Sequence, residues 1–508
     1  MILARHLVRM SLVLAAGWAG LATPALAAQD GGKLLYAGGV DAQTLDPQFI
    51  TDIPTFRVVG AMYEGLTAQD PDGKIIPGLA TSWSVGDDER TWTFKLREGV
   101  RFHDGSAFDA NAVKFTFDRL MNPDTKSPRR STLAAVEAVD VVDDHTVQIR
   151  TLAPYAPLLA QLSTYNAYIM SPAQAAKVGD KLREQPSGTG PFKFGNWQPG
   201  ERITLVRNDD YWGDKAKVES VTFTVVPEDS ARTLLLLSGQ ADVISGVPTV
   251  MVPRLESNKA VEMIRKPGYR TIYLGMNLEM PPFDDLRVRQ AVAHAVNKEA
   301  LVKGVLSGIG TLGGSYESSV IEGSATDIPP YPYDPDKARA LLAEAGHPNG
   351  FSVDFYVPTG RYTNDRQLGE AIQAQLAEVG IKANLHSPEI SSYLNLLTQA
   401  RAPLFISGKG SPSGDMDFTQ TLSHGSTGRM NHFNLKNAEV DRLIDEQRVA
   451  VDPEARREIL HRLQQKVYDT LPHVTLYYED QLWATRANVH DVRVYVNEFV
   501  DFSRAWKE

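Results

Sequence analysis

Two carboxylates and a guanidinium stand in loops where they could meet a charged small molecule. Asp415 and Asp417 follow Phe405-Ile406-Ser407-Gly408-Lys409-Gly410, a run that passes from a strand into a Gly/Ser-rich loop ending at Gly414. Arg361 and Tyr362 follow Pro358-Thr359-Gly360 at the mouth of another strand. Arg429 and His432 lie in a polar loop just after the acidic segment. A charge that leaves water needs an opposite charge or an oriented dipole. An enclosed zwitterion therefore calls for an acid at one end. At the other it calls for a guanidinium, which can take a carboxylate with two parallel bonds. The same acids could instead cap the next helix or hold the loop, and Arg361 could close an internal ion pair.

Motifs of catalysis are scarce. There is no H-E-x-x-H and no G-x-S-x-G, so neither a zinc peptidase nor a nucleophile elbow is advertised. The chain has no cysteine, which removes disulfides, thiolate metal sites and cysteine nucleophiles together. A G-x-G-x-x-G string at Gly308-Ile309-Gly310-Thr311-Leu312-Gly313 follows a predicted helix and opens none, so it reads as a flexible loop. His103-Asp104-Gly105 has the composition of a tight turn after a strand, which makes His103 a poor catalytic candidate. A secreted hydrolase is thus a remote alternative.

The positioning elements are legible. Strict alternation in Thr91-Trp92-Thr93-Phe94-Lys95-Leu96 predicts a strand with Trp92, Phe94 and Leu96 on one face. Further strands are predicted over 33–37, 146–149, 202–206, 221–226, 269–274, 352–357, 381–385 and 474–478. Apolar residues at helical spacing predict helices over 110–120, 286–305, 365–379 and 440–449. Another is predicted over 335–345, capped by Asp334 and stopped by Gly346, and one more over 453–470. Helix–strand alternation in the second half points to α/β architecture with covered sheets.

The ends and the charge narrow the setting. Arg5, His6 and Arg9 precede an apolar run over 10–22, and Ala25 and Ala27 give an A-x-A ending. These three parts predict a secretory leader over residues 1–27. The apolar run is shorter than the ~20 residues of a membrane span. Without cysteine no lipid anchor is available, so the mature chain is expected free in the periplasm. The formal net charge of the 508 residues is −10, and loss of a leader with two arginines makes the rest more acidic. Such a chain without a basic tract argues against nucleic acid.

Several stretches carry a resemblance. They begin with Gly78-Leu79-Ala80-Thr81-Ser82-Trp83 and with Thr91-Trp92-Thr93-Phe94-Lys95-Leu96-Arg97-Glu98-Gly99-Val100-Arg101-Phe102-His103-Asp104-Gly105. Gly188-Thr189-Gly190-Pro191-Phe192, then Arg207-Asn208-Asp209-Asp210-Tyr211-Trp212, then Pro282-Phe283-Asp284-Asp285-Leu286-Arg287 follow in order. Together they resemble the family 5 extracellular solute-binding proteins, the dipeptide-, oligopeptide-, glutathione- and nickel-binding components of ABC importers.

The resemblance implies an α/β, two-lobed periplasmic binding protein fold with a hinge and an extra inserted subdomain in the first lobe. The expected lobes are 28–275, with the insert at about 60–185, and 276–479, with a C-terminal return over 480–508. The chain crosses between them near 275 and 480. It also implies capture without catalysis, no cofactor and no resident metal. The expected partners are a small peptide or peptide-like ligand, a membrane permease and its ATPase subunits, and the protein itself is expected as a monomer. By the same resemblance Asp417, with Asp415 second, pairs with a peptide amine, and Arg361 with Tyr362 meets the carboxylate. Tyr63 matches a position near the cleft, Asn277 lies at the expected hinge, and Gly414 belongs to the acidic loop.

One departure matters. Many peptide binders place a tryptophan in the strand before the acidic loop, and this chain has Phe405 and no Trp over 404–410. An opine-like amino-acid conjugate therefore stays open as the ligand. So does a nickel or haem chelate, although His386, His424 and His432 form no tight sequence cluster.

Overall fold

Two long strands, Val261–Met276 and His473–Arg486, pair antiparallel in the middle of a ten-stranded sheet. A computed structural model describes residues 32–508, so the expected leader lies outside the described residues. On one side of the long pair the sheet continues through Leu404–Lys409, Phe351–Tyr356 and Ile381–His386. On the other it continues through Val243–Ser245, Lys33–Gly38, Ser220–Val225, Arg202–Arg207 and Phe192–Gln198. Each long strand therefore belongs to both halves of the molecule. Their ladder is irregular where Pro267 faces Asp480 and Thr271 faces Tyr478. Three residues, Gly268 to Arg270, oppose Glu479 alone, and Pro267 brings no N–H to a ladder there.

Alternation along the strands feeds cores on both faces. Ile272, Leu274 and Met276 face one cluster with Leu404 and Ile406, while Tyr273 and Phe405 face another. In the other half Leu34 and Tyr36 join Trp483, Val500 and Phe502, and Ala37 joins Ile244 and Ala484. A separate four-stranded sheet, in the order Ala80–Val85, Thr91–Leu96, Thr146–Thr151, Val136–Asp143, packs under helix Ala110–Met121 with its own core. Trp92, Phe94 and Leu96 are buried on one face of that sheet, as their spacing predicts.

Two expectations need correction. The predicted helix over 286–305 is two helices, Leu286–Ala295 and Lys298–Gly304. The break follows from Asn297, whose side chain accepts from the Ala300 N–H at 2.9 Å and starts the second helix as a cap. The strands predicted over 269–274 and 474–478 are only parts of the two long strands. Their continuations hold Lys and Arg or Glu and Asp among apolar residues, which masks the pattern of two. The G-x-G-x-x-G string is a loop, with Gly308 at φ +79° and Gly310 at φ +131°.

Two of the motif stretches, 188–192 and 207–212, meet around Glu64. Its carboxylate accepts from Thr189 Oγ1 at 2.7 Å, Tyr211 OH at 2.8 Å and Trp212 Nε1 at 2.8 Å. A Cβ on Gly188 would lie 2.1 Å from the Met62 carbonyl oxygen, so only glycine lets these segments approach. Glu64→Ala leaves three donors without their acceptor. It is expected to cost about 2 kcal/mol or more and to lower the melting temperature by a few degrees, and an unchanged melting curve would show that these segments are held otherwise.

Candidate functional site

Two cavities open where the halves face each other. The first, of about 310 Å³, lies at the strand irregularity and is lined by Gly38, Arg57, Ser245, Arg270, Glu479 and Glu498 among others. The second, of about 620 Å³, is walled by Arg129, Tyr155 and Asn166 on one side and by Ser413, Asp417 and Arg429 on the other.

An ion-pair chain runs along the first cavity. Arg57 meets Glu498 at 3.3 Å, Arg270 meets the same Glu498 at 3.1 Å, and Arg270 meets Glu479 at 2.6 Å. Thr363 donates to Glu479 at 3.1 Å, which ties the loop after Arg361 to the long strand. The neighbouring Glu479 charge pushes the Arg270 guanidinium up despite its burial. Sequence reading missed these residues. Their signal, alternating charges inside a strand of a large core, is visible only once both long strands are known.

The two candidate acids hold protein before they can hold ligand. Asp415 caps helix Met416–Ser423 by accepting from Asp417 N at 2.8 Å. Its two oxygens also take Arg456 at 2.6 and 2.7 Å. Burial raises the Asp415 carboxyl, but the Arg456 charge and its hydrogen bonds outweigh that and hold it below the usual range. Asp417 Oδ1 accepts from Gln447 at 2.7 Å, Arg448 at 3.0 Å and Thr421 at 3.1 Å. Asp417 Oδ2 accepts no bond among the described residues, and Asp417 lines the larger cavity. Gly414, at φ +69°, turns the loop where a Cβ would lie 2.4 Å from the Tyr269 hydroxyl.

The other candidates divide. Arg361 is exposed, with its guanidinium 5.7 Å from the Tyr362 ring and its N–H donated to Asp365 at 2.8 Å. The Tyr362 hydroxyl accepts from Gly408 N at 2.8 Å, so loop and strand end are fastened together. Arg429 is exposed at the larger cavity, and His432 is buried edge-on to Phe405 at 6.4 Å. Burial, with Lys409 adding, pushes His432 down to about 4, so it is neutral near pH 7. Tyr63, Asn277, Arg361, Tyr362 and His432 line neither cavity. The Tyr63 hydroxyl accepts from Ser187 N at 3.1 Å, and Asn277 donates to the Ala400 carbonyl at 2.7 Å. His103 is likewise structural, held at 3.0 Å from the Gly190 carbonyl and pushed down to about 4 mainly by burial.

Lys409, the last residue of strand Leu404–Lys409, carries no such expectation from the sequence yet belongs here. Burial first, then Arg361 and Arg429, pushes its ammonium down to about 8. Its signal was a lone cation closing the apolar run Leu404-Phe405-Ile406 before a loop of small residues.

The comparisons then decide the family. Residues 74–431 match the family described as bacterial extracellular solute-binding proteins, family 5 Middle. The chain belongs to this family. It is 35% identical over 366 residues to the glutathione-binding protein GsiB of Pectobacterium atrosepticum, covering 72% of this chain and 70% of that one. Its structure superposes on the periplasmic binding protein DppA from Helicobacter pylori in complex with peptide STSA. The TM-score is 0.79, at 28% identity over 94% of this chain and 99% of that one. It also superposes on AgaA from A. tumefacien R10 in complex with agropinic acid. Here the TM-score is 0.76, at 27% identity over 94% and 99% of the two chains. The two-lobed α/β fold expected from the sequence is thus the fold of this solute-binding protein.

Because Asp415 anchors Arg456 in the interior, Asp415→Ala is expected to destabilise the ligand-free protein by about 3 kcal/mol. A thermal melt of stripped protein checks this, and an unchanged curve would mean that the carboxylate is free to serve a ligand.

Proposed function

We propose that this protein is a periplasmic binder that captures a small peptide or peptide-like solute between its halves and hands it to an ABC permease driven by ATPase subunits. The observation that carries the reading is the larger cavity, which both halves wall and into which charged groups of opposite sign open. Glutathione and peptide binders among its relatives support the ligand class, and so does the basic, apolar, A-x-A start for export. In this reading residues 28–275 with 480–508 form one lobe and 276–479 the other. The lobes close by bending at the irregular ladder around Pro267 and Asp480. Arg361, on the loop whose Thr363 lines the smaller cavity, takes a ligand carboxylate, Asp417 Oδ2 in the larger one takes an ammonium, and no bond of the solute is broken. An opine-like conjugate is the second reading, favoured by the likeness to AgaA with agropinic acid.

The test is a thermal-shift screen of stripped protein against di- and tripeptides, glutathione, opines, sugars and nickel–histidine. A ligand at one hundred times its dissociation constant adds ~2.7 kcal/mol, which raises the melting temperature by a few degrees. A shift with peptides, lost in Arg361→Ala, is expected. A shift confined to opines, sugars or the chelate keeps solute capture and overturns the peptide. Hydrolysis of a compound in the panel without any shift overturns capture itself.

A further inference from the structure

We propose that the captured solute is an anion, a peptide or peptide-like conjugate with at least two carboxylates and more negative than positive charge. This rests on the reading above and adds the charge of the ligand. Its ground is a set of cations without counter-charges. Strand Leu404–Lys409 ends on Lys409. The Tyr362 hydroxyl, bonded to Gly408 N at 2.8 Å, docks the loop bearing Arg361 against that strand end. From another side Phe433 stacks on Phe405 at 5.9 Å, so the loop bearing Arg429 and His432 packs on the same strand. Three cations thus converge from three separate segments. Lys409 itself lines neither cavity, but Thr363 of the loop bearing Arg361 lines the smaller one and Arg429 lines the larger.

The acids of the neighbourhood are engaged elsewhere. Asp365 accepts from the backbone of Arg361 and Tyr362, at 2.8 and 3.2 Å. Asp415 pairs with Arg456, Asp417 with Arg448, and Glu479 and Glu498 with Arg270. Among the described residues none is within ion-pair distance of Arg361, Lys409 or Arg429. Like charges gathered in a half-buried place weaken a fold, and such a set is characteristic of a site whose ligand supplies the missing charge. Asp417 Oδ2 offers one place for an ammonium, against three cations for carboxylates.

Titration calorimetry of stripped protein tests this with Glu-Glu, glutathione, Ala-Ala and Lys-Ala. Glu-Glu and glutathione are expected to bind at least about tenfold more tightly than the other two. Lys409→Gln is expected to weaken Glu-Glu and glutathione about tenfold, and to weaken them more than it weakens Ala-Ala. Tighter binding of Ala-Ala or Lys-Ala overturns the anionic ligand and leaves the capture of peptides standing. Binding of none of the four overturns the peptide, and a second measurement then decides the charge. Lys409→Met should raise the melting temperature of ligand-free protein. A lysine depressed to about 8 in the fold, against 10.5 outside it, is penalised fully below pH 8, and the penalty fades as pH rises towards 10.5. The gain should therefore be full at pH 7 and shrink above pH 8. An unchanged or lowered melting temperature at pH 7 overturns the proposal.

Discussion

The antiparallel pairing of Val261–Met276 with His473–Arg486 makes one sheet of two halves. Every other strand of the large sheet is attached, directly or through a run of neighbours, to one of these two. The pairing is regular at both ends and irregular between, where Gly268 to Arg270 bulge opposite Glu479. Stiff ladder on each side of a short irregular stretch confines bending to that stretch. The smaller cavity and its ion-pair chain lie at the same place. Charged groups there gain less from exact packing than the apolar cores do, so they can rearrange while the cores stay intact.

Charge is distributed with the same economy of place. The acids near the larger cavity are bonded inward, by Arg456, Arg448 and Gln447, and so build the loop and helix that form its wall. Arg361, Lys409 and Arg429 have no acid within ion-pair distance among the described residues. A carboxylate that caps a helix and holds an arginine has its geometry fixed before any ligand arrives, which is what preorganisation requires of a wall. A cation without a partner has the opposite property, because its electrostatic need is met only when something binds.

Much of this was legible in the residues. Alternation in Thr91–Leu96, the Asp334 cap, the Gly346 stop and the ordered motifs around Gly188 and Trp212 gave the elements and the family, since each reports a local constraint. Helix boundaries failed where Asn297 caps a second helix inside a continuous apolar pattern. The long strands were seen only in part, because a strand shared between halves changes its neighbours along its length and carries no single pattern. At the site, residue type suggested Asp415, Asp417 and Arg361. It could not say that Arg456 and Arg448, some thirty to forty residues onward, would reach the acids first. The isolation of Lys409 is illegible in the sequence for the same reason, since it is a fact about distant chain.

The core that surrounds the first strand, Lys33–Gly38, is closed by residues from the far end of the chain. Val489, Val494, Val500, Phe502 and Ala505 pack with Leu34 and Tyr36, and Arg57 reaches Glu498. The earliest strand of the described chain is therefore covered by some of its latest residues. The core around that first strand is complete only with residues 489–505 in place, so removing them would expose the part of the protein written at its start.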